Sequence, residues 1–326
     1  MSCSLRAHTD LSAAVGEGTN GLRPFLFWML ALSLSTAASA DDAPFARELA
    51  PGIYAHEGVI AMPGEGPADD IADLGFVVGD KGVAVIDTGG SVATGRRLLA
   101  AVRAVTDKPI LYVVNTHEHP DHVFGDAAFE GLGAVFVGHR NLPRSLASRE
   151  AFYRKAYAKF LGDAAMDEVR FIMPTLLVEG ESELDLGGRK LRLKAWPVAH
   201  TDCDLTVYDP ASRILFTGDL LFSGHVPVLD GSLKGWLKAL DGLAAVPAER
   251  VVPGHGPAGA PWPAALAAER NYLTHLASDV RGFVKRGADI GEAARGAGVE
   301  DRGDWKLFDA YNPRNATAAF AEFEWE

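Results

Sequence analysis

Four short apolar runs in this chain each stop at residues able to bind a cation, and that recurrence limits the possible folds more than any other feature. Ile110–Val114 leads into Thr116-His117-Glu118-His119-Pro120-Asp121-His122. Residues 191–196 lead to His200, Ile214–Phe216 to Asp219, and residues 251–252 to His255. Apolar runs of this length, bounded by loops, predict buried strands. Side chains at strand ends can converge at one edge of a sheet, held by a rigid core yet open to solvent. Within the first stretch, His117 and His119 share a face in an extended backbone, and Asp121 and His122 lie where the chain turns into the next element. Imidazole nitrogens with a carboxylate suit zinc, and also iron or manganese. Solvated histidines at one strand end are the plainer alternative, but they do not account for donors at the other three.

The pattern elsewhere supports an α plus β chain. Leu74–Val78 and Val83–Ile86 flank Gly79-Asp80-Lys81-Gly82, which has the chemistry of a hairpin turn. Val92–Val105 and Leu142–Leu161 predict helices, residues 134–137 another strand, and residues 206–208 with Ile214–Phe216 a hairpin. Ser232 is placed to cap a helix running to about Ala245. Residues 41–51 read as a polar lead-in and 169–178 as a connection. Alanine-rich helices over 263–286 and a short helical tail are expected to finish the chain.

Residues 1–40 read as an export signal: Arg23, the apolar run from Phe25 to Leu32, and Ala38-Ser39-Ala40 as a cleavage site. Residues 41–326 then form the mature protein, a single domain expected in the periplasm without stable membrane insertion. Its formal charge of −12 argues against a nucleic-acid partner. Cleavage also removes Cys3 and leaves Cys203 alone, so stability must come from the core and any metal.

His-x-His-x-Asp-His after a strand resembles the signature of the metallo-β-lactamase superfamily. The resemblance implies a four-layer αββα sandwich and a pair of metals, most simply two zinc ions. His117, His119 and His200 would hold the first, and Asp121, His122 and His255 the second. Asp219 would bridge them beside a hydroxide, which Asp121 would orient for attack. Asp87, in Val85-Ile86-Asp87-Thr88-Gly89, resembles the acidic residue that opens the superfamily's motif series and is expected to fix the motif loop or a ligand histidine. Glu118 is expected to point away from the metals and Cys203 to be a small buried residue. His225 is a candidate for the substrate mouth and Lys234 for a substrate carboxylate. His56, His139 and His275 carry no motif.

The ligand set narrows the branch. Zinc β-lactamases lack a bridging aspartate at the position of Asp219, and flavodiiron proteins carry Glu where His119 stands. Glyoxalase II shares the two-metal set, but its glutathione-binding tail is not evident here. Persulfide dioxygenases have Gly-Arg-Thr-Asp where this chain has Ser223-Gly224-His225-Val226. Asp70-Ile71-Ala72-Asp73-Leu74-Gly75-Phe76, Val85 to Gly90, Pro227 to Trp236 and Asn312-Pro313-Arg314-Asn315 resemble the exported zinc metallohydrolases of the quinoprotein relay system. The resemblance implies hydrolysis of a lactone, thioester or ester in a small molecule, near a quinoprotein dehydrogenase or cytochrome. Two alternatives belong to other classes. One is a non-hydrolytic accessory protein docking through the Arg/Tyr-rich residues 149–159, and the other an iron-dependent oxidoreductase or β-lactamase-like activity on the same scaffold.

Overall fold

A computed structural model describes residues 44–326, and every structural statement below concerns these residues. The export segment expected over residues 1–40 lies outside them. The first sheet contains β1 (Arg47–Ala50), β2 (Ile53–His56), β3 (Leu74–Val78), β4 (Val83–Ile86), β5 (Ile110–Val114), β6 (Val135–His139) and β7 (Leu176–Val178), adjacent in chain order. Strands β1 to β4 form an antiparallel meander, whereas β4 to β7 are parallel. Parallel neighbours need crossovers. These are α1 (Val92–Val105), α2 (Pro120–Val123), and α3 (Leu142–Leu161) with α4 (Asp163–Glu168).

The second sheet contains β8 (Glu181–Asp185), β9 (Lys190–Ala195), β10 (Leu205–Asp209), β11 (Ile214–Phe216), β12 (Arg250–Val252) and β13 (Ala260–Pro261), again as sequential neighbours. Its β11 and β12 are parallel, joined through α5 (Leu233–Ala244), and the other pairs are antiparallel. The chain closes with α6 (Leu266–Lys285), α7 (Ile290–Gly296) and α8 (Phe308–Phe323). Ser91 and Ser232 cap α1 and α5, their Oγ atoms accepting from the N–H groups of Thr94 at 3.1 Å and Gly235 at 2.9 Å.

Alternation along each strand divides its side chains between two cores. Val85, Val113 and Phe136 pack with Leu98 and Val102 of α1. Their chain neighbours Ala84, Ile86, Val114 and Val137 turn the other way and meet Leu193, Val207, Ile214 and Phe216 of the second sheet. On its far face the second sheet gives Leu215 and Val251 to a core shared with Trp236 of α5, Tyr272 of α6 and Phe320 of α8. Each fully buried aliphatic side chain contributes roughly 1.5–3 kcal/mol. The layers are therefore helix, sheet, sheet, helix, the α+β sandwich expected.

Three details differ from the sequence pattern. β1 forms in the polar lead-in, and β7 lies in the stretch read as a connection. The C-terminal segment is an integral layer rather than a tail, because Phe308, Ala316, Ala319 and Phe323 are buried in the third core. Among the described residues, no helix is long and apolar enough to cross a membrane.

Candidate metal centre

The centre begins at the end of β5. Thr116 donates from its backbone N to Asp87 Oδ1 and from its hydroxyl to Asp87 Oδ2, both at 2.7 Å. Asp87 adopts a left-handed φ of 54°, a conformation that aspartate tolerates better than most residues. The same Oδ2 lies 2.8 Å from Nδ1 of His122. One carboxylate thus ties the end of β4 to both ends of the histidine stretch. Pro120 at the first turn of α2 sets its backbone angle, and Asp121 and His122 follow, buried.

The donors form two groups, His117, His119, His200 and Asp219 in one, and Asp121, His122 and His255 in the other. Within each group, the ligand atoms all lie within 4.8 Å of one another. Asp219 faces both. Its Oδ2 is 3.6 Å from His117 Nε2 and 3.3 Å from His200 Nε2. Its Oδ1 is 3.0 Å from His122 Nε2 and 3.4 Å from His255 Nε2. His255 Nε2 also lies 3.3 Å from Asp121 Oδ2. This approach depends on Gly254, where a Cβ would fall 1.9 Å from Asp219 Oδ1.

Each of these imidazoles turns its other nitrogen to a brace. His117 Nδ1 meets Thr116 Oγ1 at 3.0 Å, His119 Nε2 meets Asp230 Oδ2 at 3.2 Å, and His200 Nδ1 meets the Val228 carbonyl at 2.7 Å. His122 has Asp87, and His255 Nδ1 meets the Ile71 carbonyl at 2.8 Å. The inward atoms His117 Nε2, His122 Nε2 and Asp219 Oδ1 are buried without hydrogen-bond partners. Buried polar atoms are almost always paired. Outward nitrogens held and inward ones orphaned is the arrangement of a metal site, so the residues present fit divalent cations.

Electrostatics point the same way. Burial pushes His117 well down and His200 to about 4. For His122 burial is outweighed by the carboxylates of Asp219, Asp87 and Asp121, which pull it well up. For His255 burial is outweighed chiefly by Asp219 and Asp121, which raise it to about 10. Burial likewise opposes ionisation of Asp219, yet the imidazoles of His122, His255 and His117 hold it well below the usual carboxylate range. These buried carboxylates require positive charge nearby, which divalent cations would supply in place of protons.

A cavity of about 430 Å³ opens over the centre, of the size that takes a small molecule. His225, the candidate for the substrate mouth, lines it, 4.8 Å ring to ring from His255. Burial, with His255 beside it, lowers its pKa to about 3. Lys234 does not line this cavity, and the expectation of a carboxylate anchor there is corrected. Its neighbours Leu233 and Trp236 turn to the core, and Lys234 is exposed with Nζ 3.3 Å from Glu326. Residues 149–159, read as a docking surface, contribute Arg149, Phe152, Tyr153, Ala156 and Tyr157 to the cavity wall. Cys203 is buried and donates to Glu118 Oε2 at 2.8 Å, and Glu118 Oε1 lies 3.3 Å from Arg149. The sequence did not single out Tyr311, Arg314 or Asn315 of α8 as site residues, although all three line the cavity. Their one signal was the Asn312-Pro313-Arg314-Asn315 segment.

Residues 69–255, more than half of the chain, match the family model of the metallo-beta-lactamase superfamily. The chain belongs to that superfamily. Among curated relatives, the linear primary-alkylsulfatase of a Pseudomonas species is 28% identical over 213 residues, 54% of this chain and 40% of that protein. The metallo-β-lactamase-fold chain therefore spans well under half of this larger relative. Among solved structures, the stereoselective inverting sec-alkylsulfatase Pisa1 from Pseudomonas sp. aligns with a TM-score of 0.66 at 18% identity, covering 85% of this chain and 50% of that one. A metallo-beta-lactamase from Pontibacter korlensis aligns at 0.57 with 22% identity, covering 70% and 98%. At these identities the structural likeness concerns the superfamily's fold.

Proposed function

We propose that the protein is a periplasmic dinuclear zinc hydrolase that cleaves a lactone, thioester or ester of a small molecule. We place it with the exported metallohydrolases of the quinoprotein relay system, beside a quinoprotein dehydrogenase or its cytochrome. The observation that carries the hydrolytic reading is Asp219, which offers one oxygen to each histidine group. Two ions held there would lower the pKa of a bound water and polarise the substrate carbonyl. The protein's own part is orientation. Asp121, held at about 2 because the charges of His122 and His255 outweigh its burial, stays ionised and accepts a hydrogen bond from the attacking water. The braces behind the imidazoles fix their rings, and the cavity wall shields the reacting bond from bulk solvent. Export is supported by the signal over residues 1–40, and the quinoprotein link by the segments at 70–76, 227–236 and 312–315.

Metal quantification of the purified mature protein, with a panel of lactones, thioesters, esters and lactams, tests this. The expected result is two equivalents of zinc and chelator-sensitive turnover of a lactone, thioester or ester. Absence of metal-dependent turnover on the panel would sink the proposal. The alkylsulfatase similarity favours a second reading, hydrolysis of a sulfate ester. Turnover of primary or secondary alkyl sulfates alone would put that reading in place of the first.

A further inference from the structure

Two guanidinium groups line the cavity over the centre, and they differ in what they already bind. Arg149 is paired twice, Nε at 3.3 Å from Glu118 and Nη2 at 2.8 Å from Asp230. Arg314 has no carboxylate within ion-pair distance among the described residues; its one recorded partner is the Tyr311 ring, 5.9 Å away. Arg314 is exposed, but the helix carrying it is fixed. Asn315 Nδ2 donates to the Pro227 carbonyl at 2.6 Å, and its Oδ1 accepts from Leu229 N at 2.9 Å. Tyr311, at i−3, stacks on His225 with ring centroids 6.1 Å apart. Residues 311, 314 and 315 share one helix face, and that face lines the cavity.

The histidines and aspartates of the centre and Asp230, already paired with Arg149, form the floor and one rim of the cavity, and the wall away from them carries Met62, Phe152, Tyr157, Phe160 and Leu229. Phe152 and Phe160 are 65% and 49% exposed, a surface suited to an apolar ligand. In a protein of formal charge −12, a cation without a protein counter-charge beside a binding cavity creates a local exception to a field that repels anions.

We propose that the substrate is an amphipathic anion, an apolar body carrying a carboxylate apart from its scissile ester. Arg314 takes its charged group, and Phe152 and Phe160 cover its body. This rests on the hydrolytic reading above and adds the class of molecule that the site accepts.

The test uses metal-loaded enzyme and matched pairs in which the same bond is cleaved: para-nitrophenyl hemisuberate against para-nitrophenyl octanoate, and para-nitrophenyl hemisebacate against para-nitrophenyl decanoate. Wild type is expected to prefer the charged member of each pair. Arg314→Ala should lower that charged-to-uncharged ratio of kcat/KM about tenfold, chiefly through KM, the scale of one charge-assisted hydrogen bond. Arg314→Lys should restore part of it, and Arg302→Ala, at a surface arginine paired with Asp309, should leave the ratio unchanged. Calorimetric titration with phenylbutyrate against phenylbutanol reads the same selectivity without turnover. An unchanged ratio in Arg314→Ala, or a wild-type preference for the uncharged members, overturns the proposal. If no ester turns over, the hydrolytic reading fails, and the phenylbutyrate titration alone decides the role of Arg314: equal binding by wild type and Arg314→Ala overturns it.

Discussion

The two candidate ligand groups use the same kinds of side chain but differ in what stands behind them. His122 is backed by Asp87, 2% exposed, and His255 by a backbone carbonyl. His119 is backed by Asp230, which is 35% exposed and shared with Arg149 at the cavity rim. A carboxylate brace in the interior acts at low dielectric and holds a ring strongly, whereas one near solvent is screened. The Asp121–His122–His255 group is therefore set by the fold. The outer ligand of the other group is open to influence from whatever occupies the cavity.

The largest expected effect erases the distinction. Asp219→Asn serves neither group well, so metal analysis should show both ions weakened and turnover reduced on the order of 10³-fold or more. Two tightly retained ions in that variant would contradict a shared carboxylate. Asp121→Ala should act on one group only. Zinc content is expected to fall from two equivalents towards one, with activity down by about 10²-fold or more; loss of both ions would show that the groups are not separable.

The braces give a finer contrast. Asp87→Asn should weaken metal affinity by roughly 10–100-fold in chelator competition, while Asp230→Asn should lie at the low end of that range or below it. The reverse order would refute the division between an interior and a rim brace. The smallest effect is expected at Cys203→Ser, which keeps a donor to Glu118. Metal content should be unchanged and stability altered by about 1 kcal/mol, as read by denaturant titration. Metal loss there would make Cys203 a ligand and redraw the centre.

The central strands were legible because their apolar runs stop abruptly at polar residues; β3, β4 and β5 fall at the expected bounds. The same punctuation exposed the seven candidate ligands and Asp87. Edge elements gave less. In β8, Glu181–Asp185, only Leu184 is buried, so little alternation marks it as a strand. Lys234 misled because its position near a helix start says nothing about which way that face points once Trp236 is buried. Arg314 and Tyr311 could not be assigned to the site by local pattern, since they reach it from a helix packed against the second sheet, far along the chain from His255. The pattern over Leu142–Leu161 announced a helix but not that Tyr153, Tyr157 and Phe160 on it border the cavity.

The candidate ligands come from both sheets: the histidine stretch follows β5 of the first, while His200, Asp219 and His255 follow β9, β11 and β12 of the second. The contacts that join them span much of the sequence, and such contacts form late because chain closure must precede any reward for it. A chain interrupted before β12 carries the whole His117, His119, His200 and Asp219 group but lacks His255, so the second group is incomplete. Filling both groups would thus wait for synthesis through His255 and for the two sheets to meet, so a pair of bound cations would certify that the whole sandwich has assembled.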